Sequence, residues 1–339
     1  MSEALDGVLF VAEVSANHLG SLERALEIVD AAAAAGASAI KFQTYTAETM
    51  TLDLDSFVVS EDHALWGHRK LYELYEEAHT PWDWHPILFD RCRELGVIPF
   101  SSPFDSTAVD FLESLDAPMY KIASLETGDH ALIRKVAETG KPLLISTGAT
   151  TWEEIEELVA VVEGTGNKNL TLLVCTSSYP ALPEDAHLRR IETIRKRFDV
   201  RVGVSDHTLG AGVSIAAIAL GAIVIEKHIT LRRSDGGADA AFSLEPEEFS
   251  TLVHEGQSAF SALGNPEWSM QDSEKESRRL RRSLYVVADV KAGELVTAEN
   301  LRAIRPGAGA PPKYYEVFLG KRFVMDVSKG TPMIQDLVQ

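Results

Sequence analysis

Between residue 8 and about residue 265, short apolar, β-branched runs alternate with longer stretches whose apolar residues recur every three or four positions. The runs cover 8–14, 39–42, 97–100, 119–122, 143–145, 170–174, 200–204 and 222–225. A strand that is apolar at nearly every position is buried on both faces, as in a parallel sheet covered by helices. Between the runs, Leu22, Ala25, Leu26, Val29, Ala32 and Ala33 keep helical spacing behind Ser21, a residue suited to cap a helix start. Residues 152–162 repeat the pattern, with Glu153, Glu154 and Glu156 where the helix dipole favours negative charge. Strand–helix units in such a series predict an α/β fold, a (β/α)8 TIM barrel that closes and leaves no edge strand. A doubly wound open sheet is the alternative.

After Gly264 this alternation stops. Residues 266–282 are polar and include Arg278, Arg279, Arg281 and Arg282, a pattern expected of a linker with a helical turn on a solvated face. Residues 283–339 hold strand-like pieces at 284–287 and 323–327 and turn signals at 291–293, 306–309 and 329–330. The expected organisation is a barrel over 1–265, a linker over 266–282 and a small domain over 283–339. A domain that small buries a limited core, so it is expected to lean on a partner surface.

Composition narrows the function. Hydrophobic residues make up 45% and charged residues 24% of the 339, the balance of a soluble globular protein. No uninterrupted apolar run is long enough for a transmembrane helix. Residues 1–7 are acidic where a secretory signal is basic. The two cysteines, Cys92 and Cys175, argue against a disulfide framework or a structural zinc site, and the expected location is cytoplasmic. A net charge of −19 disfavours nucleic acid as a partner but leaves room for a small anion held by a few lysines.

In a barrel, chemistry gathers at the C-terminal strand ends. Those positions form a polar ring. Glu13, Ser15 and Asn17 follow the first run; Lys41 and Gln43 the second; Ser101 and Ser102 the third; Lys121, Ser124 and Glu126 the fourth. Ser146 and Thr147 follow the fifth, and Thr176, Ser177 and Tyr179 the sixth. Ser205, Asp206 and His207 close the seventh, and Glu226, Lys227 and His228 the eighth. One or two polar strand ends are ordinary loop chemistry; a full ring points to a site. Lys41 and Lys121, with helix starts expected just after Ser146-Thr147-Gly148 and Ser205, suit a ligand that carries a phosphate and a carboxylate. A single strand-end lysine would equally suit a Schiff base. His207 and His228 are a candidate metal pair, open to water and substrate oxygen, although strand-end histidines also serve as caps.

These segments resemble the sialic acid synthase family. The similarity runs through Glu13-Val14-Ser15-Ala16-Asn17-His18, Lys41-Phe42-Gln43-Thr44, Ser101-Ser102-Pro103-Phe104 and Tyr120-Lys121-Ile122-Ala123-Ser124. It continues through Ser146-Thr147-Gly148, Cys175-Thr176-Ser177-Ser178-Tyr179-Pro180, Ser205-Asp206-His207-Thr208 and Glu226-Lys227-His228 to Phe242-Ser243-Leu244-Glu245-Pro246. The tail, with Arg305-Pro306-Gly307 and Leu319-Gly320-Lys321, resembles that family's antifreeze-like (SAF) domain.

The resemblance implies condensation of phosphoenolpyruvate with an amino-sugar aldehyde, with C–O cleavage, to a nonulosonic acid and phosphate. Lys41, Ser102, Lys121, Ser124, Ser146 and Ser205 would hold phosphoenolpyruvate. His207 and His228 would bind a divalent metal, Mn²⁺, Mg²⁺ or Co²⁺. Ser177, Tyr179 and Asp239 would meet the sugar, and Glu13, Glu126 and Glu226 are the acid/base or water-positioning candidates. The implied assembly is a homodimer in which one subunit's C-terminal domain covers its partner's barrel and brings Arg305 to the sugar.

Segments 79–85, 105–111 and 236–243 are most similar to pseudaminic acid synthases, which implies a 2,4-diacetamido-2,4,6-trideoxy-altrose substrate. Ser177 stands where N-acetylneuraminate synthases usually have Asn. Two departures stand out: Leu65-Trp66-Gly67-His68 in place of Leu-Trp-Asp-Gly, and Ala149 in place of the usual Met. Alternative readings are a synthase for N-acetylneuraminate, legionaminate or a spore-coat or secondary pathway. From other classes come a Schiff-base aldolase built on Lys41 or Lys121 and a non-catalytic sugar-binding barrel.

Overall fold

The computed structural model describes residues 7–61 and 66–339; the acidic start at 1–6 and Leu65 of the 65–68 tetrapeptide lie outside these residues. The chain divides between Gly264 and Asn265 into two compact units, each with its own apolar core.

In the first unit eight strands pair in parallel in sequence order: β1 (Leu9–Glu13), β2 (Ala39–Thr44), β3 (Ile98–Pro103), β4 (Tyr120–Ile122), β5 (Leu143–Ser146), β6 (Leu170–Cys175), β7 (Arg201–Ser205) and β8 (Val224–His228). β8 also pairs with β1, which closes the barrel and removes the open-sheet alternative. Every strand is followed by helix: α1 (Leu22–Ala34) after β1; α2 (Ala47–Met50), α3 (Leu71–Ala78) and α4 (Trp84–Glu94) after β2; α5 (Ser106–Ser114) after β3; α6 (His130–Glu138) after β4. Then come α7 (Trp152–Gly164), α8 (Arg190–Phe198), α9 (Gly212–Ala219) and α10 (Pro246–Leu263) after β5 to β8 in turn. Ser21 caps α1 by accepting the Arg24 N–H, and Thr151 with Glu154 closes a capping box on α7. Among the described residues no helix is long and apolar enough to cross a membrane.

Side chains alternate along each strand, so one set faces the helices and the other the barrel axis. The outward set, including Phe10, Ile40, Phe42, Ile145 and Ile225, packs into the main core. The inward set has two layers. Leu9, Val11, Ala39, Phe100, Met119, Leu144, Leu173 and Val224 fill the lower barrel as a separate cluster. Two residues further along each strand the inward position becomes polar: Glu13, Lys41, Ser102, Lys121, Ser146, Cys175, Ser205 and Glu226.

The apolar runs therefore stop before the strands do. Gln43 still pairs in register with Ser102, and Ser205 with Glu226, because the backbone ladder continues after the side chains turn polar. The expectation of helix starts directly behind Ser146 and Ser205 does not hold. α7 begins at Trp152 and α9 at Gly212, so both serines sit on strands and short loops intervene.

In the second unit α11 (Lys275–Arg279) falls within the arginine-rich segment. β9 (Ser283–Val286) pairs antiparallel with β10 (Leu301–Ile304), and α12 (Tyr315–Phe318) follows. The strand expected over 323–327 is reduced to single bridges, Phe323 to Val338 and Val290 to Val327, while β10 was not anticipated. Gly309 lies where the chain crosses Leu284 and Met333. A Cβ there would meet the Leu284 carbonyl and come within 3.0 Å of the Met333 nitrogen.

Candidate active site

The strand ends open into a cavity of about 370 Å³, within the range of small-molecule sites. Lys41, Lys121, Ser146, Cys175, Ser205, Glu226 and His228 line it from the strands. Ser124, Glu126, Tyr179, His207 and Asp239 line it from the loops. Ser15 and Gln43 also line it, and most of the remaining lining is apolar: Met50, Val59, Leu71, Leu74, Tyr75 and Phe104, with Tyr45 and Trp66.

The floor is a buried charge network. Lys41 Nζ lies 2.5 Å from Glu13 Oε2 and 3.8 Å from Glu226 Oε1, and Lys121 Nζ lies 3.4 Å from the same Glu226 oxygen. Ser205 Oγ donates to Glu226 Oε1 at 2.9 Å, and Lys41 Nζ donates to Ser102 Oγ at 3.3 Å. Burial alone raises a carboxylate's pKa, and it carries Glu13 to about 7 against the pull of Lys41. For Glu226 burial acts the same way, but Lys121 and Lys41 together outweigh it and hold the carboxylate below its ordinary value. Burial pulls both lysines down. Glu13 and Glu226 more than offset this at Lys41, whereas Lys121 stays below the ordinary lysine value. Glu126 rises to about 7 through burial, with Lys121 opposing, and its Oε2 has no hydrogen-bond partner.

The two histidines do come together, with ring centroids 5.3 Å apart. Phe242 packs edge-on against both rings, and Tyr179 lies 4.6 Å from His207. The Nδ1 of His207 is engaged by the Thr176 carbonyl at 3.0 Å, which leaves Nε2 as its donor for a metal. His228 Nδ1 is buried without a hydrogen-bond partner, 3.9 Å from Asp239 Oδ2. Burial and the neighbouring cations keep His228 well below the ordinary pKa, hence neutral, the form that binds metals. The pair fits a divalent ion. Among the described residues no third His, Cys, Asp or Glu joins it as a cluster.

Of the remaining candidates, Glu13 and Ser102 stand behind Lys41 rather than on the cavity surface. Ser177 Oγ is buried beside Gly148, where any Cβ would collide with it and with Ser124 Oγ. Arg305 is an exposed residue of the second unit. Some members of the expected polar ring face the other way, among them Ser101, whose hydroxyl meets Thr44 Oγ1 at 2.7 Å on the helix side. Asp206 and Lys227 form an outward, fully buried pair at 3.1 Å, and Asp206 also accepts from Ser214 Oγ of α9 at 2.6 Å. Strand alternation demands this, since each is adjacent in sequence to an inward histidine.

The apolar lining was missed. Its signal was present as Leu71, Leu74, Tyr75 and Ala78, a helical stripe at i, i+3, i+4 and i+7. Ser15 and Gln43 were seen only as ring members. They connect through Gln43 Nε2 donating to Ser15 Oγ at 3.3 Å and Ser15 Oγ donating to Asp239 Oδ2.

The NeuB family matches residues 28–267 and the SAF domain matches residues 281–338. The chain is 42% identical to a pseudaminic acid synthase of Campylobacter jejuni, over 97% of this chain and 96% of that one. It is 41% identical to a pseudaminic acid synthase of Helicobacter pylori, over 97% of each. The crystal structure of an N-acetylneuraminic acid synthetase from Leptospira borgpetersenii superposes with a TM-score of 0.73 at 31% identity, covering 80% of this chain and 90% of that one. The chain belongs to the NeuB family and ends in a SAF domain.

Proposed function

We propose that the chain condenses phosphoenolpyruvate with 2,4-diacetamido-2,4,6-trideoxy-altrose to form pseudaminic acid and phosphate. The carrying observation is the buried floor on which Lys41 and Lys121 meet Glu13 and Glu226. It offers two cations to a ligand with a phosphate and a carboxylate, and carboxylates to a carbon that turns cationic during reaction. Similarity to pseudaminic acid synthases over nearly the whole chain supports the choice of sugar.

Lys41 and Lys121, with Ser124, Ser146 and Ser205, hold phosphoenolpyruvate, and Ser102, expected to touch it, instead positions Lys41 by accepting from its Nζ. Its C3 attacks the aldehyde carbon, and the aldehyde oxygen takes up a proton. Glu13 and Glu226 stabilise the positive charge at C2, where water adds and loses a proton. The tetrahedral intermediate then expels phosphate by cleaving the C–O bond and leaves a ketone. Fixed charges in a water-poor site stabilise such steps, and removing one typically costs about 3–4 kcal/mol of barrier. Glu126, with a pKa near 7, suits proton exchange at neutral pH. Tyr179 and Asp239 contact the sugar, while Ser177, expected to do so, lies behind the lining beside Gly148. His207 and His228 would hold a divalent metal, Mn²⁺, Mg²⁺ or Co²⁺, which would supply Lewis acidity toward the aldehyde oxygen.

The active assembly is a homodimer in which the C-terminal domain of one subunit, 283–339 on the linker 266–282, covers its partner's barrel mouth and supplies Arg305. Support comes from Leu19, Leu52, Leu125, Leu182 and Leu209, exposed leucines on five different mouth loops, with Leu125 76% exposed. Two free, buried cysteines support a cytoplasmic location.

The test is phosphate release across a panel of amino sugars, with product mass and phosphoenolpyruvate labelled with ¹⁸O at the bridging oxygen. The label is expected in phosphate, chelator is expected to abolish turnover, and Mn²⁺ to restore it. Label retained in the sugar acid would exclude C–O cleavage. Borohydride trapping of a pyruvate adduct on Lys41 or Lys121 would favour the Schiff-base reading instead.

A further inference from the structure

Among the described residues, the cavity joins the charged floor to a wall that carries no charge. α3 turns Leu71, Leu74, Tyr75 and Ala78 into the cavity while Glu73, Glu76 and Glu77 are exposed to solvent. Met50, at the end of α2, and Phe104, after β3, extend the wall. Tyr45 ties it together: its ring meets Tyr75 edge-on at 5.8 Å and Phe104 at 5.1 Å.

A row of polar contacts leads from the histidines toward this wall. His228 Nδ1 lies 3.9 Å from Asp239 Oδ2, Ser15 Oγ donates to Asp239, and Gln43 Nε2 donates to Ser15 Oγ at 3.3 Å. Gln43, in β2, and Tyr45, one residue past its end, are two positions apart, and both line the cavity. A sugar whose aldehyde lies at the histidines and whose polar groups follow this row reaches the wall with its far end. A methyl group gains by burial there. A hydroxyl would lose its water and find no donor or acceptor among Leu71, Leu74 and Met50, and unpaired buried polar groups discriminate strongly.

We infer that the wall formed by Met50, Leu71 and Leu74 binds the methyl-bearing C6 end of the sugar and sets the preference for 6-deoxy substrates. This rests on the proposed condensation of a diacetamido sugar and adds the residues that recognise its C6 end.

The experiment measures kcat/KM of the full-length metal-loaded enzyme for the 6-deoxy diacetamido hexose and for its 6-hydroxy counterpart. Wild type is expected to prefer the 6-deoxy sugar at least tenfold. Leu71→Ser, at a partly exposed position that should tolerate it, and Leu74→Ser are each expected to lower kcat/KM for the 6-deoxy sugar about fivefold through KM. Both should raise it for the 6-hydroxy sugar, collapsing the ratio, while the KM for phosphoenolpyruvate stays as in wild type. Equal losses on both sugars, or a ratio that neither variant changes, would overturn the wall assignment and leave the condensation reading standing. A wild type that prefers the 6-hydroxy sugar would overturn the substrate reading and the wall together.

Discussion

Glu126 follows β4 in the first loop turn, partly buried, with one carboxylate oxygen unpaired. Burial raises its pKa from the ordinary 4.5 to about 7. The folded state therefore holds a proton that the unfolded state has released between those values, so this group's contribution is fully present below about pH 4.5 and is lost as pH rises through about 7. Other groups titrate in the opposite sense, notably His18 and His85, both pushed down to about 4 by burial. The clean readout is a difference between variant and wild type. Glu126→Gln should match wild-type stability near pH 4.5 and exceed it increasingly up to pH 8, by on the order of 1–3 kcal/mol. Urea midpoints of both proteins at pH 5, 6, 7 and 8 check this, and a pH-independent difference would remove Glu126 as a titrating group. At this scale the sequence was informative where a rule of period two applied. Lys41 and Lys121 were legible because each follows an apolar inward residue by two positions. The outward turn of Asp206 and Lys227 depends on the phase of the same alternation, which only pairing with the neighbouring strand establishes.

At the scale of elements, α10 closes the barrel wall by lying against α9 and β1. Gly256 sits at that contact: a Cβ there would lie 2.7 Å from Phe10 Cζ and 2.9 Å from Ile218 Cδ1. Helix propensity favours alanine over glycine by about 1 kcal/mol, but the clash displaces a buried aromatic ring in a close-packed core. Gly256→Ala should destabilise by about 1–3 kcal/mol. Gly164→Ala, at the end of α7 with nothing within 4 Å of its Cβ, should be neutral or stabilising by up to about 1 kcal/mol. Chemical denaturation of the pair measures the contrast, and equal effects would mean that α10 yields at this contact. Helix and strand identities were legible here because buried elements keep a strict period. Strand ends were not, because polar inward residues stop the apolar signal while the hydrogen-bond ladder continues to Thr44, Pro103 and His228.

At the scale of the whole molecule, the two units have separate cores, so each has its own reason to fold. If the proposed assembly holds, a chain ending at Arg282 should fold to a stable barrel yet lose turnover, because it would lack Arg305 and the domain proposed to cover the partner's mouth. Mixing inactive Lys121→Ala and Arg305→Ala subunits should recover about half of wild-type activity per mixed dimer, and about a quarter in a randomly paired mixture, since one mouth of the mixed dimer has both groups intact. Phosphate release after subunit exchange, with exchange verified by mass, measures this, and no recovery would place Arg305 in its own subunit's site. The sequence by itself determined the series of strand–helix units, the change of character after Gly264 and the polar chemistry at the strand ends, because those are carried by local periodicity and residue type, while closure into a barrel rests on the pairing of β8 with β1. Tertiary structure decided which polar residues share the cavity, that the two histidines lie together, and that a helical stripe of α3 walls the site. Those facts depend on strand phase and on contacts between residues far apart in the chain, about which local pattern carries no information.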